Sequence, residues 1–327
     1  MEPLKPEGSI SPGIEMKSES GQPSKLWIGC GENCNMRNKG DWMLLIAAIL
    51  GGGGFIGVKY LLDWGYTPYQ VMLGRFIIAT VCLSLIYFKR YFQITKKEWK
   101  MGGILGVLLA ATFVLLTVGL QYTTPSVNAF LCNTQAAIVP FICWVAFRQK
   151  PLPSGFLAAF LTLFGVALLS VTEDFKLDIG AVLSFGAAVA FSMQMAFMGK
   201  AVLECDSVNI ALVEHLVVTI ISFVITAMTG MDMPSLNGLA VASYLNVGIF
   251  CTAIYFVLQS VGQKYTSANK TAIIITSESI FAAIISILFY GERMGWRGVL
   301  GCGIIFAARL LAEKPLGKTV DTEEKIS

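Results

Sequence analysis

From about residue 42 to residue 312, long apolar runs alternate with short polar connections. A helix that spans a bilayer needs roughly 20 mostly apolar residues, and ten runs approach or exceed that length. The pattern predicts an all-α integral membrane protein with ten transmembrane helices. The predicted spans cover residues 42–61, 67–88, 101–120, 125–147, 153–171, 179–199, 208–229, 237–259, 268–290 and 296–312.

Composition agrees with this pattern. The 327 residues have a mean hydropathy of +0.68, and only 14% of them are charged, whereas soluble domains carry about 25% charged residues. The core of a soluble domain of this length would not enclose so much apolar surface. The bilayer is therefore the expected solvent for most side chains.

The distribution of positive charge predicts the orientation. If the N-terminus lies in the cytoplasm, 19 of the 24 Lys and Arg residues fall on the cytoplasmic side, four fall on the other side and Arg75 lies within a span. Positively charged short loops stay in the cytoplasm. We therefore expect a multi-pass protein of the cell membrane with both termini cytoplasmic.

The polar ends of the chain carry no recognisable site. Residues 1–40 lack an apolar signal core and predict a disordered cytoplasmic tail, and residues 313–327 predict a second one. Cys30 and Cys34 alone cannot complete a tetrahedral zinc site. We expect no metal, no cofactor and no nucleic-acid partner.

The glycine run "GGGGFIG" at residues 51–57 formally contains a dinucleotide-binding spacing. No strand precedes it, and apolar spans surround it, so a nucleotide site is not expected. Close approach of neighbouring helices is the expected role of these glycines. A local break of the first span remains the alternative, because four glycines weaken a helix.

One polar connection occurs twice. Residues "QYTTPS" at 121–126 and "QKYTSANK" at 263–270 each follow an apolar run, and an offset of 143 aligns residues 119–168 with 262–311. This predicts two five-helix repeats, at 41–172 and 179–312. Five is odd, so the second repeat would enter the membrane from the opposite side. Inverted repeats are typical of secondary transporters.

These segments also resemble a known family. Arg75-Phe76, "QYTTPSVNAFL", "QKYTSANKTAIIITSESIFAAIISILFYGERM" and "GVLGCGIIFAARLL" are similar to the EamA-type transporters of the drug/metabolite transporter superfamily, over roughly residues 42–312. The resemblance implies ten helices in two inverted repeats and transport of small metabolites, often outward. The family's usual Glu-Pro in the ninth span is here Glu278-Ser279.

Charged and amide residues within the predicted spans are the candidate site, because a charge at mid-bilayer costs from about 3 to more than 10 kcal/mol. Asn128 and Gln135 are seven residues apart, which predicts one helical face, and the offset pairs them with Thr271 and Glu278. The alternatives are hydrogen bonds that only join helices and an Arg75–Glu278 ion pair that locks the bundle. The substrate-pathway candidates are Arg75, Asn128, Gln135, Gln194, Thr271 and Glu278.

Glu278, His215 and Glu214 are the candidates for proton coupling. Histidine titrates near neutral pH and can carry a proton. Glu214 and His215 are adjacent and point about 100° apart on a helix, so at most one of them is expected to face a central cavity.

Together these features predict a secondary active transporter, and more specifically an exporter, of a small organic metabolite such as an amino acid. The expected partners are the solute, the lipid bilayer and protons as the coupling ion. An intramembrane enzyme is not expected, because the chain has one His and no Asp within a predicted span. A facilitative channel and a receptor or scaffold that transports nothing remain alternatives.

Overall fold

The computed structural model describes residues 32–148, 153–170, 178–232, 234–293 and 295–313. Most of the predicted N-terminal tail and the C-terminal tail from residue 314 lie outside these ranges. Residues 32–40, which were expected in the tail, are helical, because the first helix begins at Glu32.

Regular structure in the described residues is helical throughout. Two short π-helical segments, Asn246–Ile254 and Ser286–Tyr290, and a 3-10 helix at Phe88–Gln93 accompany the α-helices. The α-helices are α1 (Glu32–Asp63), α2 (Pro68–Tyr87), α3 (Lys96–Tyr122), α4 (Pro125–Cys132), α5 (Gln135–Phe147), α6 (Pro153–Ser170), α7 (Ile179–Glu204), α8 (Ser207–Thr229), α9 (Gly238–Leu245), α10 (Tyr255–Tyr265), α11 (Ala268–Ile275), α12 (Glu278–Ile285) and α13 (Trp296–Glu313).

Eight helical segments of the described residues are long and apolar enough to cross a membrane. They coincide with eight of the ten predicted spans, so the prediction of an all-helical membrane protein is confirmed. The other two predicted spans correspond to α6 and α13, which are helices of 18 residues each. The count of ten and the inverted relation of the halves stay predictions.

Two spans are interrupted at related positions. α4 ends at Cys132 and α5 begins at Gln135, while α11 ends at Ile275 and α12 begins at Glu278. The sequence offset of 143 superimposes these two breaks. Asn128 and Gln135 therefore lie on different helical segments, so the expectation of one continuous helix between them is wrong.

Hydroxyl groups, and no proline, accompany the breaks. Thr134 Oγ1 donates to the Leu131 carbonyl at 2.7 Å, and Thr276 Oγ1 donates to the Ile273 carbonyl at 2.7 Å. Such local bonds compete with the regular helical ladder. Pro140 lies inside α5 and not at the break. The second break therefore forms although Ser279 stands where the family usually has proline.

Close helix packing explains the glycines of α1. The helix is continuous from Glu32 to Asp63, so the alternative of a local break is wrong. A Cβ atom on Gly52 would lie 2.7 Å from the Phe281 Cβ, and one on Gly57 would lie 2.6 Å from Val247. These glycines let α1 approach α12 and the π-helical segment Asn246–Ile254.

Three of the four ion pairs among the described residues lie at one end of the bundle, which we call the basic end, and the fourth, Lys59–Asp63, lies at the other end within α1. The three join α1 to α11, the α2–α3 connection to the α7–α8 turn, and the start of α3 to the end of α7. The opposite end carries hydrogen bonds from Tyr290 to the Asp63 carboxylate and from Ser126 and Ser286 to the Glu292 carboxylate. The ion pairs of the basic end are Asp41–Lys270 (2.5 Å), Arg90–Asp206 (2.8 Å) and Lys97–Glu204 (2.7 Å).

Two glycines of α3 allow a test of how closely α3 packs against α8. A Cβ on Gly106 would lie 2.7 Å from the Val217 Cβ and 3.0 Å from the Glu214 carbonyl oxygen, whereas a Cβ on Gly103 would meet no atom within 4 Å. We expect Gly106→Ala to lower the free energy of unfolding by about 1–3 kcal/mol through overpacking. Equilibrium unfolding in detergent micelles measures this.

Gly103→Ala is the control on the same helix. Alanine favours the helical state over glycine by about 1 kcal/mol, so stability should stay equal or rise. Equal destabilisation by both substitutions would contradict the α3–α8 packing.

Candidate functional site

A cavity lies inside the bundle, lined by residues of α1, α2, α3, α7, α10 and α12. Its lining on α1 runs from Gly51 to Val58 and on α3 from Thr112 to Leu120, so it extends from the middle of the bundle toward the end opposite the basic end. The walls are mainly apolar, with five aromatic side chains and a few polar groups. Among the lining residues are Phe55, Arg75, Phe113, Asn133, Phe191, Tyr255, Phe256 and Glu278.

Arg75 on α2 projects into this cavity and is held by neutral groups. Its Nε donates to Thr252 Oγ1 at 3.0 Å, and one of its terminal nitrogens donates to the Cys251 carbonyl at 3.3 Å. The guanidinium carbon also lies 4.3 Å from the ring centroid of Phe113. A cation over an aromatic face gains electrostatic attraction, and no carboxylate of the described residues forms an ion pair with Arg75.

The π-helical segment Asn246–Ile254 supplies both hydrogen-bond acceptors of Arg75. Thr252 and Cys251 both belong to it, and Thr252 Oγ1 donates to the Val247 carbonyl, five residues earlier, at 2.7 Å. Single π-helical turns within α-helices often occur at functional sites. The wider turn therefore accounts for the acceptors that Arg75 finds on this helix.

Glu278 is the first residue of α12 and lines the same cavity. Its Oε2 accepts a hydrogen bond from the Tyr255 hydroxyl at 3.0 Å, and the positive end of the α12 dipole favours a negative charge at this position. A Cβ on Gly51 would lie only 2.7 Å from Oε1 of Glu278. Glycine at that position of α1 therefore leaves room for the carboxylate.

Arg75 and Glu278 do not form an ion pair in the part of the chain that the structure describes. The interpretation of this pair as a structural lock is therefore wrong for this conformation. Each charge is bonded to neutral groups, and both face one cavity. A solute with a carboxylate and an ammonium group would find an opposite charge for each.

Asn128 and Gln135 are placed differently from Arg75 and Glu278. Asn128 Nδ2 donates to the Leu116 carbonyl at 3.1 Å and to Ser184 Oγ at 2.7 Å, so it joins α4 to α3 and α7. Gln135 Nε2 donates to Asn133 Oδ1 at 3.2 Å, across the helix break. Neither residue is part of the cavity lining, and these bonds fit the alternative of helix-joining groups.

The remaining candidates are buried outside the cavity lining. Gln194 Nε2 donates to Glu214 Oε1 at 2.7 Å, and His215 Nδ1 lies 2.7 Å from the Ala211 carbonyl oxygen. The His215 ring packs against Phe256, with the ring centroids 5.4 Å apart. Thr271 is fully buried on α11. Arg75 and Glu278 are thus the predicted residues that reach the cavity.

Sequence reasoning missed Tyr255, which holds the Glu278 carboxylate, and Asn133 at the first helix break. Tyr255 lies within a predicted span that contains several other aromatic residues, so nothing in the sequence distinguishes it. The sequence could have indicated Asn133, because the offset of 143 aligns it with Thr276, two residues before Glu278.

The sequence matches a known family model twice. The model of the EamA-like transporter family matches residues 38–171 and again residues 178–312. The two matches cover most of the chain and divide it near the middle.

Two curated relatives are similar over most of their length. An uncharacterized transporter of Archaeoglobus fulgidus is 27% identical over 274 residues, which are 83% of this chain and 84% of that protein. The uncharacterized transporter YcbK of Bacillus subtilis is 25% identical over 288 residues, or 82% of this chain and 90% of that protein. Both names describe a transporter and give no solute.

The fold also occurs among solved structures. One crystal structure aligns with a TM-score of 0.62 over 84% of this chain and 96% of its own chain, at 12% sequence identity. At this level of identity the likeness shows a shared fold alone.

The bond between Tyr255 and Glu278 can be measured by a double-mutant cycle. A buried hydrogen bond to a charged group contributes about 1.5–3 kcal/mol, so Tyr255→Phe and Glu278→Ala, which each remove one partner, should show a coupling energy of that size. Equilibrium unfolding of the two single variants and the double variant gives this energy. Additive effects would contradict the bond.

The neutral hydroxyl pair Ser84–Tyr91, with 3.0 Å between its oxygens, is the control. Its partly buried position and lack of charge predict a smaller coupling of about 0.5–1.5 kcal/mol.

Proposed function

Because the chain belongs to the EamA-like transporter family, we propose that it is a secondary active transporter that exports a small zwitterionic metabolite, such as an amino acid. The single observation that supports this class of solute is that Arg75 and Glu278 line the same cavity. These opposite charges line one cavity without neutralising each other through an ion pair.

The cavity chemistry supports this class of solute. The guanidinium group of Arg75 matches a carboxylate, because its planar donors bind carboxylates in a bidentate way. The Glu278 carboxylate matches an ammonium group. Aromatic side chains from α1, α3, α7 and α10, together with aliphatic ones, form much of the rest of the wall, and such surfaces favour an apolar body between the two polar ends.

The two helix breaks support alternating access. They occur at positions related by the sequence offset, and interrupted helices at corresponding positions of two halves point to the solute site of a transporter. Asn133 beside the first break and Glu278 after the second both line the cavity. In this proposal the half-helices move around the bound solute and open the cavity to one side at a time.

Glu278 offers a direct means of proton coupling. An ammonium group binds well to an ionised carboxylate and poorly to a protonated one, so solute binding favours release of a proton from Glu278. A proton that returns to Glu278 on the other side displaces the solute. Exchange of solute for proton follows from this competition, while His215 and Glu214 remain further candidates for the coupling group.

The proposal also includes an orientation in the membrane, while the direction of export rests on the resemblance to the family. The ion-paired basic end holds the α2–α3 connection with its five Lys and Arg residues between positions 89 and 100, and positive charge favours the cytoplasmic side. In the proposed orientation both termini lie in the cytoplasm of the cell, and the described cavity extends toward the outside.

Metabolite analysis of cells tests the function. Cells that overexpress the wild type should accumulate one class of amine- and carboxylate-bearing metabolites in the medium, as measured by untargeted mass spectrometry. Arg75→Gln or Glu278→Gln should reduce this export by about 30-fold or more, because each removes a buried charge–charge contact worth about 2–5 kcal/mol.

Variants at the surface control for charge and abundance. Arg293→Gln and Glu204→Gln remove the same types of charge outside the cavity and should export like the wild type at equal membrane abundance. Export by Arg75→Gln and Glu278→Gln at the wild-type rate would rule out the proposed site.

A further inference from the structure

Five polar side chains are buried between the cavity and the basic end. We call them the buried polar column. Each is at most 1% exposed, in a part of the bundle where most neighbours are apolar. The column consists of Gln194 on α7, Glu214 on α8, and Gln259, Ser260 and Gln263 on α10.

Helical register places the column directly next to the cavity. Tyr255 lines the cavity, and Gln259 and Gln263 follow it at intervals of four residues, which is one face of α10. On α7, Phe191 lines the cavity, and Gln194 lies one turn closer to the basic end. The column therefore lies between the cavity and the basic end and continues the cavity wall toward that end.

Hydrogen bonds hold the three helices of the column together. Gln194 Nε2 donates to Glu214 Oε1 at 2.7 Å and joins α7 to α8. Gln263 Nε2 donates to the Met195 carbonyl at 3.1 Å and joins α10 to α7. These bonds use one atom of each amide and leave the other atom for a further partner.

The column holds an unusual number of unpaired oxygen atoms. One oxygen of every member has no hydrogen-bond partner within the described residues, and the Gln259 nitrogen has none either. A buried polar atom without a partner costs about 1–3 kcal/mol, so each such group requires an explanation. The oxygens are Gln194 Oε1, Glu214 Oε2, Gln259 Oε1, Ser260 Oγ and Gln263 Oε1.

Contacts of α1 close the column at the basic end. A Cβ on Gly262 would lie 2.8 Å from Leu44 Cγ, and a Cβ on Gly40 would lie 2.9 Å from the Tyr265 Cβ. The Asp41–Lys270 ion pair, at 2.5 Å, joins α1 to α11 beside these glycines. α1 thus packs closely on α10 beside Gln263, at the basic end of the column.

We propose that the buried polar column is the other half of the solute path, closed in this conformation, and that it binds the ammonium group of the solute on its way from the basic end to the cavity. The unpaired oxygens are acceptors for such a donor. Glu214 is the one charged member, and the column contains no Lys or Arg. This inference rests on the proposed transport function and adds to it a route and a role for the amine.

Modification of introduced cysteines tests the route without knowledge of the solute. In a variant without the eight native cysteines, Gln259→Cys or Gln194→Cys should react with membrane-impermeant methanethiosulfonate reagents applied to the basic face. Adding Lys270→Gln, which breaks the ion pair with Asp41, should speed this reaction. Vesicles of both orientations separate the two faces.

The charge of the reagent tests the ligand class. A cationic reagent should modify Gln259→Cys about tenfold or more faster than an anionic one of the same size, because a site lined by one sign of charge concentrates counter-ions. Glu214→Gln should remove most of this preference while leaving the cysteine accessible.

Two further cysteines serve as controls. Lys100→Cys is exposed at the basic end and should react from that face in every variant, which identifies the face. Val257→Cys lies on the same helix as Gln259, but it packs with Ala79, Leu83 and Leu212. It should stay unmodified with or without Lys270→Gln.

The outcomes separate the route from the transport function. Absence of modification of both Gln259→Cys and Gln194→Cys in the Lys270→Gln background, while Lys100→Cys reacts, would overturn the route. Equal rates for the cationic and anionic reagents would overturn the ammonium role. Modification from the basic face in a protein that exports no metabolite would support the route and contradict the proposed export.

Discussion

The structure depends on one constraint: a charged or amide group inside a bilayer is costly without a partner, because the lipid offers none. Arg75 meets this constraint through a threonine hydroxyl, a backbone carbonyl and an aromatic face. Glu278 meets it through Tyr255 and the start of a helix. Neither charge uses the other, although both line one cavity. This arrangement leaves two opposite charges for a solute to engage.

The same constraint explains where the irregular helical segments lie. The breaks before Gln135 and Glu278 and the π-helical segment beside Arg75 all occur next to the cavity. Irregular backbone at membrane depth is tolerated where protein or a polar cavity satisfies its groups. The glycines of α1 add space at the same level, since any Cβ at Gly51 would meet Glu278 and Tyr255. Backbone irregularity and small side chains thus open a polar site within an otherwise apolar bundle.

The sequence was a reliable guide where a residue type is rare in its surroundings. Arg75 and Glu278 stand out because charges are scarce in apolar spans, and the length of the apolar runs located the helices. The spacing of Asn128 and Gln135 predicts one face only if the helix is continuous, and the helix is interrupted between them. Neither proline nor glycine stands at this break, so the sequence does not predict it. Tyr255 was missed because aromatic residues are common in such spans. The π-helical turn at Cys251 and Thr252, which accepts hydrogen bonds from Arg75, leaves no signal in the periodicity of apolar residues.

The central claim is that Arg75 and Glu278 together select a zwitterion, and solute-induced thermal stabilisation of the purified protein in lipid nanodiscs tests it most directly. The ligands are a panel of amino acids, the corresponding amines without the carboxylate and the corresponding acids without the amine. At least one amino acid should raise the melting temperature more than either of its truncated analogues, and Arg75→Gln should remove the preference over the amine. Equal stabilisation by all three ligands, or an unchanged preference in Arg75→Gln, would contradict the account.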